Sequence, residues 1–451
     1  MKMTKRILAT FAFYDRTGIQ AFLEKQAEKG WMFEKFGILG WKFRRIQPKK
    51  LHFAVTYFPK ASQFDPEPPE DQLRFQEFCA HAGWQFVDAN AQMQVFYHEA
   101  ESPVPIETDP AMELENIHRS AKKSYLPLFY LVLFCALVKG AVFRMDLYNS
   151  LVQTLANSGY LYGLVAWCCL GLIALVRIIG YFRWCAKAKQ AAANGQFLDT
   201  RSKHGFENVL FAAIFLCFAA TLLSWDDPKL TILCIWMLIV YGVIRLAMTG
   251  LQIGLKKLKV DALDSKYLLA VASVVICLAM MMGLWAVIED MEKLPGEDGD
   301  AGTYRYDGIP FEIRDDELPI SVEDLLDVEP DVYSHEKMDS METLLVGWYR
   351  AIERPMNGDM YYTIVDVKAG FLYGACLEDM LSPEYGYSGV YGEADPAPWG
   401  AERAYRFQKN AEHGQEETHY LLCYPGRIIL FDARWEMTPE QMAAVGQILG
   451  G

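Results

Sequence analysis

The sequence LPLFYLVLFCALVKGAVFRM, Leu126–Met145, is the first of five long apolar runs, and these runs determine the fold class. A helix rises about 1.5 Å per residue and needs roughly 20 apolar residues to cross about 30 Å of hydrocarbon. The other four runs are Tyr160–Phe182, Phe206–Trp225, Lys229–Thr249 and Tyr267–Glu289. Because each run reaches this length, the sequence predicts a polytopic α-helical membrane protein with five spans. They form a membrane domain of residues 119–289, in contact with lipid.

The charges between the runs predict the orientation of the chain. Three connections are rich in Lys and Arg: residues 118–123, 183–203 and 256–266. Short, positively charged loops stay in the cytoplasm. We therefore expect residues 1–118 in the cytoplasm, and five crossings would place the C-terminal part outside the cell.

The C-terminal part is strongly acidic. Residues 289–451 contain 34 Asp and Glu against 12 Lys and Arg, in a chain whose formal net charge is −14. Binding to a phosphate backbone needs a basic surface, so we expect no direct contact with nucleic acid. The excess of Asp and Glu over Lys and Arg is typical of a soluble extracytoplasmic domain, which we expect at residues 304–451. An acidic linker, residues 290–303, joins this domain to the last run.

A helix–Gly–Trp–hairpin pattern occurs twice before the first run. An amphipathic helical stretch ends at Gly30 and another at Gly83, and Trp31 or Trp84 follows at once and opens an alternating strand. Glycine adopts the left-handed conformation that ends a helix, and the tryptophan packs over the helix end. Trp41 opens the second strand of the first hairpin. The pattern predicts a cytosolic α+β domain in which two helices cover an antiparallel sheet.

The same residues resemble a known family. The stretch Phe22–Trp31 (FLEKQAEKGW), the segment starting at Trp41, and Gly83-Trp84 with Phe96-Tyr97 are similar to DUF2812, a family of bacterial membrane proteins. The resemblance implies a multi-pass protein of the bacterial cell membrane, typical of Gram-positive bacteria, with several spans after this domain. It also implies a regulatory role beside a cytosolic partner such as a PadR-like transcriptional regulator. It carries over no catalytic residue, because the family has no settled activity.

The C-terminal part predicts a second α+β domain. Its strand signals include a hairpin within Leu421–Phe431, with Pro425-Gly426 at the turn. We expect Met341–Ile352 to be a helix. The last helix begins with a capping box, Thr438–Gln441, with a proline at its first position.

Cys376 and Cys423 are the cysteines expected outside the cell, where an oxidising environment permits a disulfide. A bridge between them would contribute roughly 4–5 kcal/mol in the chain-entropy estimate. The alternative is two thiols buried in adjacent strands, and the sequence leaves both open.

An aromatic, Gly-rich stretch contains Tyr385, Tyr387, Tyr391 and Trp399. Surface loops of this composition are used for contact with a ligand or partner. The alternative is a long ordered loop that packs its own tyrosines. The sequence does not specify whether a ligand would be a small molecule or a peptide.

The sequence contains no motif for catalysis, a cofactor or a metal ion. Its acidic residues 315–331 lack the ligand spacing and the glycine of a calcium loop, and there is no Gly-x-Ser-x-Gly, His-Glu-x-x-His or phosphate loop. Lys139, Arg177 and Arg245 lie near the ends of their runs, where their long side chains reach the lipid headgroups. No Asp, Glu or His lies in the middle of a run, as a proton relay or coupling-ion site would need, and this disfavours secondary transport. We also expect no enzymatic activity.

Three functional hypotheses follow. The first is a membrane-anchored regulatory or sensor protein, in which the outside domain senses and the cytosolic domain contacts a partner. The second is a membrane subunit of a transport or export system that lacks its own ATPase. The third is an envelope enzyme, which would need converging acid–base residues such as Asp366, Glu378 or His419. The two soluble domains favour the first.

Overall fold

The computed structural model describes most of the chain. The described residues are 3–9, 11–37, 40–62, 64–65, 67–200, 205–223, 228–292, 303–306, 309–312, 316–326, 333–355, 360–382, 389–409 and 418–451. The chain divides into two compact units. Unit 1 comprises Met1–Val138, Ala166–Leu216 and Asp227–Val287, and unit 2 comprises Lys139–Val165, Cys217–Asp226 and Ile288–Gly451. Each unit combines strands of β-sheet with segments of the apolar helices.

The helices and strands are numbered in chain order. The helices are α1 (Arg16–Glu28), α2 (Glu70–His81), α3 (Pro110–Ser120), α4 (Leu126–Asn149), α5 (Leu151–Ala156), α6 (Ser158–Ala193), α7 (Gly205–Leu223), α8 (Pro228–Lys257), α9 (Ala262–Glu292), α10 (Tyr373–Leu381) and α11 (Pro439–Leu449). The strands are β1 (Thr4–Ile7), β2 (Trp31–Lys35), β3 (Trp41–Arg45), β4 (His52–Tyr57), β5 (Gln85–Asn90), β6 (Met93–His98), β7 (Thr303–Tyr306), β8 (Ile309–Glu312), β9 (Tyr333–Glu342), β10 (Val346–Pro355), β11 (Met360–Val367), β12 (Gly389–Ala394), β13 (Arg403–Lys409), β14 (Thr418–Tyr424) and β15 (Arg427–Ala433).

The expectation of five membrane spans is wrong. In the part of the chain that the structure describes, two helices are long and apolar enough to cross a membrane. They are Pro110–Asn149, in which a π-helical turn joins α3 to α4, and Ser158–Ala193, which is α6. The apolar helix Gly205–Thr221 is too short, and Trp225, the end of the third expected span, lies outside the described residues. Many side chains of α8 and α9, which contain the fourth and fifth runs, also lie outside them.

Burial distinguishes the two long helices from the core helices of a soluble protein. Only 6% of the apolar window of Pro110–Asn149 and 28% of that of Ser158–Ala193 is buried, whereas a core helix covers most of its apolar surface. These two helices can therefore cross a membrane. Arg177 of α6, expected to reach the headgroups, instead forms an ion pair with Glu207 of α7.

The N-terminal domain is an internal repeat. Each half has the order strand–helix–strand–strand and forms a three-stranded antiparallel sheet with its last strand in the middle, β1–β3–β2 or β4–β6–β5. Gly30 and Gly83 follow the two helices with φ of +77° and +87°. The prediction of two helix–Gly–Trp–hairpin repeats is confirmed. The single sheet is a wrong expectation, because each repeat completes its own sheet.

The two hairpins match in detail. The first has a register shift between Phe33 and Lys35, and the second has one between Phe86 and Asp88. Both shifts occur at the same distance after the Gly-Trp pair of their repeat. Because a β-bulge bends a strand locally, the same bend recurs in both sheets, and positions of the two repeats can be compared one by one.

The helix α1 packs against both sheets, because Leu23 shares one core cluster with Phe43 of β3 and Phe53 of β4. The opposite face of β4 packs in a second cluster with α2. The two sheets also meet directly at β2 and β5, where the N–H of Phe36, just after β2, donates to Asp88 Oδ2 over 2.7 Å.

Unit 1 also contains the packing of this domain on the long helices. Ile117 of α3 and Tyr181 and Trp184 of α6 belong to the same core cluster as α1. An ion pair joins Arg16 Nε to Glu113 Oε1 over 3.1 Å. The ends of both candidate spans are thus part of the N-terminal core.

The C-terminal domain is built around a seven-stranded antiparallel sheet in the order β12–β13–β14–β15–β11–β10–β9. Along β15, Ile429 and Phe431 belong to one core, which includes α11 and the 3₁₀ turn Val322–Asp324. Ile428 and Leu430, on the other face, belong to a second core with α5 and α10. Both faces of the sheet are covered.

The local predictions for this domain had mixed outcomes. Met341–Ile352 is not a helix, because these residues belong to the paired strands β9 and β10 and to the turn between them. The β14–β15 hairpin is confirmed, with Gly426 at φ +74° in its turn. The capping box of α11 is confirmed by reciprocal hydrogen bonds between Thr438 and Gln441. Most of the expected linker, residues 290–303, lies outside the described residues.

Candidate functional site

The C-terminal domain contains a partly buried cluster of two carboxylates and one imidazole: Glu323, His335 and Glu353. His335 of β9 and Glu353 of β10 are direct partners in the antiparallel register. Side chains at such positions are about 5 Å apart and lie on the same face of the sheet. Glu323 comes from the 3₁₀ turn, whose Ser321–Asp324 capping box fixes its backbone.

The imidazole lies between the two carboxylates. His335 Nε2 is 3.4 Å from Glu323 Oε1, and His335 Nδ1 is 3.2 Å from Glu353 Oε2. Glu353 is fully buried, and its Oε2 accepts the Val322 N–H over 2.9 Å. Its Oε1 accepts no hydrogen bond from the described residues. A buried carboxylate with one unsatisfied oxygen is costly when it is charged.

Burial therefore raises the pKa of Glu353 to about 7, and Glu323 adds to the rise, while the Val322 N–H and His335 oppose it. A carboxyl group with such a pKa exchanges a proton near neutral pH. One ligand atom from each of the three residues lies within 4.8 Å of the others, a spacing that also suits a divalent cation. However, the two imidazole nitrogens face different carboxylates, and one cation can bind only one of them. The geometry therefore fits proton binding better than metal binding.

Sequence reasoning missed this cluster. His335 has no neighbouring ligand in the sequence, and Glu353 directly follows a segment that was expected to be a helix. Reading residues 333–355 as two strands joined by a turn at residues 343–345, in place of a helix, would have placed His335 opposite Glu353.

A second feature joins the C-terminal domain to the candidate spans. The short helix α5, between α4 and α6, packs into the second core of this domain, and Val152 is fully buried there. The two carboxylate oxygens of Asp379 accept the N–H groups of Leu151 and Val152 over 3.1 and 3.0 Å. Thr343 Oγ1 donates to the Leu155 carbonyl over 2.8 Å. A carboxylate at a helix start satisfies free N–H groups and favours the helix dipole.

The glycine and tryptophan residues of the repeats are structural. A Cβ at Gly30 would lie 2.9 Å from the Ile46 carbonyl oxygen, and one at Gly83 would lie 2.4 Å from His98 Nε2. Trp84 is buried, and its indole N–H donates to the Val104 carbonyl over 2.9 Å.

The other two tryptophans lie in the first sheet. Trp31 is half-buried, with Lys5 Nζ 4.5 Å and the Arg45 guanidinium 5.0 Å from its ring centroid. Trp41 packs with Phe11 and other rings of the first sheet and α1. Both help to fill the first hairpin.

Cys376 and Cys423 are free thiols, and both are buried in the second core of the C-terminal domain. Burial raises the pKa of Cys376 to about 11 and also raises that of Cys423. A raised pKa keeps a thiol protonated and unreactive. Both thiols are buried, as the second alternative expected, but they do not lie in adjacent strands, because Cys376 is in helix α10 and Cys423 is in strand β14. The bridge stays a prediction to be tested in the isolated protein.

The aromatic residues do not form one surface. Tyr385 and Tyr387 lie outside the described residues. Tyr391 is partly buried, and its hydroxyl lies 2.8 Å from His419 Nε2. Trp399 is only 2% exposed and belongs to the first core of the C-terminal domain. It therefore stabilises the core and does not form the expected partner surface.

The three residues considered for an envelope enzyme have different surroundings. Asp366 forms an ion pair with Arg427 over 2.6 Å. Glu378 is exposed on α10. His419 is fully buried and lies 3.4 Å from Asp432.

Comparison with protein families identifies the N-terminal part. Residues 16–129 match the family DUF2812, described as a protein of unknown function. These residues form a DUF2812 domain. The expected resemblance is confirmed. A search of curated proteins and a search of solved structures each found no match.

The DUF2812 domain begins with α1, contains both Gly-Trp pairs and extends into α4. It therefore includes the contact between the repeats and the first candidate span. The cluster of Glu323, His335 and Glu353 lies outside the matched residues, so the family match assigns no role to it.

Proposed function

We propose that this protein is a membrane-anchored regulatory or sensor protein of the bacterial envelope. Its C-terminal domain senses a signal, and its DUF2812 domain contacts a cytosolic partner such as a PadR-like regulator. The observation that carries the proposal is the packing of α5, which connects the two candidate spans, inside the C-terminal domain.

This packing supports a path for a signal. A change in the C-terminal sheet acts directly on α5, because Asp379 and Thr343 hold its backbone. From there α6 continues without interruption to Tyr181 and Trp184 in the DUF2812 core. A packed helix transmits displacement when the elements at its ends have two arrangements. The candidate input is the ionisable cluster around the buried Glu353.

For the orientation, we propose a multi-pass protein with a cytoplasmic DUF2812 domain and an extracytoplasmic C-terminal domain. The basic residues 118–123 and 183–203 lie near the start of the first candidate span and the end of the second, as expected for cytoplasmic segments. The segment that joins the two spans, α5, packs in the C-terminal domain. This arrangement needs at least one further crossing between residues 193 and 303.

Affinity purification tests the proposed partner. Full-length protein would be isolated gently from native membranes, and co-purifying proteins would be identified by mass spectrometry. We expect a soluble regulatory protein that is lost when residues 1–118 are deleted, while the truncated chain stays in the membrane fraction. Recovery of a stoichiometric ATPase would instead support the transport alternative, and recovery of the protein alone would count against a stable partner.

Hydrogen exchange tests the proposed path. A step from pH 8 to pH 5 protonates Glu353, whose pKa is raised to about 7, and we expect altered exchange both in α5 and near Trp184. In the Asp379→Asn variant, the exchange near Trp184 should no longer respond to pH, while the exchange in α5 should still respond. Identical responses of the two proteins near Trp184 would reject the path through α5.

Labelling in intact cells tests the orientation. An epitope tag after Gly451 should be accessible to an impermeant reagent, and a tag before Met1 should become accessible only after lysis. The reverse pattern would invert the scheme.

A further inference from the structure

The outer face of α2 forms an open groove with the start of the second hairpin. Its apolar lining is Leu73, Ala80, Trp84 and Phe86, its polar lining includes Gln76, Glu77 and Gln85, and its volume is about 450 Å³. Leu73 and Phe86 are 42% and 41% exposed. Large apolar side chains exposed together in a groove are typical of a binding surface.

The internal repeat shows what fills the same place in the first half of the domain. Aligning Gly30 with Gly83 pairs Glu24 and Ala27 of α1 with Glu77 and Ala80 of α2. In the first repeat β4 covers this part of the helix, and Ala27 is fully buried. In the second repeat Glu77 and Ala80 are exposed.

A specific backbone contact accompanies this cover. Glu24 Oε1 accepts the Phe53 N–H of β4 over 3.3 Å. Its counterpart Glu77 is exposed at the equivalent place in the groove. The groove therefore offers both an apolar floor and an acceptor for the N–H group of an extended chain.

The charge of the first sheet argues against a second copy of this chain as the occupant. A head-to-tail copy would bring the outer face of its first sheet onto α2. That face carries Arg6 and Arg44, together with Lys42, which forms an ion pair with Glu34 of β2. The equivalent face of the second sheet carries Phe53 and other apolar residues. Charged side chains do not replace apolar residues against the apolar part of the groove, and polar outer faces are typical of the terminal units of repeat proteins.

We propose that this groove binds an extended segment of a partner protein whose alternate residues are apolar, in the way that β4 covers α1. Extended peptides that dock on a domain in this manner gain affinity from main-chain hydrogen bonds and specificity from alternate side chains. The inference deepens the proposed function, on which it rests, by assigning the partner contact of the DUF2812 domain to one surface.

Peptide binding tests the groove. The probe is a fluorescent peptide with the sequence of β4 and its flanks, LHFAVTYF (Leu51–Phe58), added to full-length protein in detergent and followed by anisotropy. The control peptide has its alternate apolar residues replaced by serine. We expect saturable binding of the probe and at least 10-fold weaker binding of the control. Equal binding of both peptides would overturn the proposal.

Matched variants locate the binding site. Leu73→Asp should weaken binding at least 10-fold and Glu77→Gln about 2- to 5-fold, whereas Glu70→Gln, an exposed residue of α2 outside the groove lining, should have no effect. Because all three residues are exposed, the fold should tolerate the changes. If the Leu73→Asp variant binds the peptide as tightly as the natural protein does, the groove is not the binding site. If the natural protein sediments as an oligomer and the Leu73→Asp variant as a monomer, the occupant is a second copy of this chain. Neither result depends on the partner purification, so the two proposals can fail separately.

Discussion

Replacing Glu353 by glutamine should stabilise the C-terminal domain at alkaline pH. Burial raises the pKa of this carboxyl group from 4.5 to about 7. A raised folded-state pKa means that the folded protein holds its proton more tightly than the unfolded chain does. Stability is therefore fully present below pH 4.5, falls as the pH rises towards 7, and stays lower above it. The shift corresponds to about 3 kcal/mol.

Glutamine removes this cost because it carries no charge. Its carbonyl oxygen can still accept the Val322 N–H, which the carboxylate now accepts. The free energy of unfolding of Glu353→Gln should equal that of the natural protein at pH 4.5 and exceed it at pH 8 by up to about 3 kcal/mol. For a domain of this size that is roughly 6–12 °C in Tm. Glu378→Gln, an exposed change in the same domain, should leave the pH profile unchanged.

The two buried thiols provide an assay specific to this domain. Cys376 and Cys423 should react with a maleimide only as the C-terminal domain unfolds, and peptide mass spectrometry separates them from the other cysteines. Labelling of the full-length protein in detergent would be followed against temperature at pH 4.5 and pH 8, normalised to the urea-unfolded chain. A variant that is less stable than the natural protein at pH 8 would refute the reasoning. It would show that attraction between Glu353 and His335 outweighs the cost of burying the charge.

Two further outcomes test the glycine and cysteine assignments. Gly83→Ala should destabilise the DUF2812 domain by more than about 1 kcal/mol, because φ is +87° and the new Cβ would lie 2.4 Å from His98 Nε2. Gly195→Ala, at φ +71° with open space around it, should cost about 1 kcal/mol or less, so equal thermal shifts would exclude the contact as the cause. Non-reducing mass spectrometry of protein purified under air should show both Cys376 and Cys423 as free thiols, since they are buried, and a linked peptide pair would instead establish the bridge.

The features that could be predicted from sequence are those specified by neighbouring residues. A glycine that ends a helix and a tryptophan that opens the next strand are adjacent, so the repeats around Gly30 and Gly83 could be recognised. The turn at Gly426 and the capping box at Thr438 are equally local. Such signals depend on backbone conformations that few residue types adopt.

The features that were missed depend on pairing between distant segments. Met341, Leu345, Trp348 and Ile352 recur with helical spacing, but cross-strand pairs on both sides of β10 override this preference. The same pairing brings His335 opposite Glu353, so the wrong helix also concealed the cluster. Run length predicted five spans, whereas two helices in the described part of the chain are long and apolar enough to cross a membrane.

The burial of α5 has a consequence for synthesis of the chain. Val152 and Asp379, which bond to each other, are 227 residues apart. At about 5–20 residues per second the ribosome needs roughly 11–45 s to cover this interval. During that time the apolar side of α5 is not yet covered by the C-terminal sheet. We therefore expect chaperones that bind exposed apolar segments to bind α5. For the same reason, a fragment that starts after α9 would lack part of its own core and is expected to aggregate.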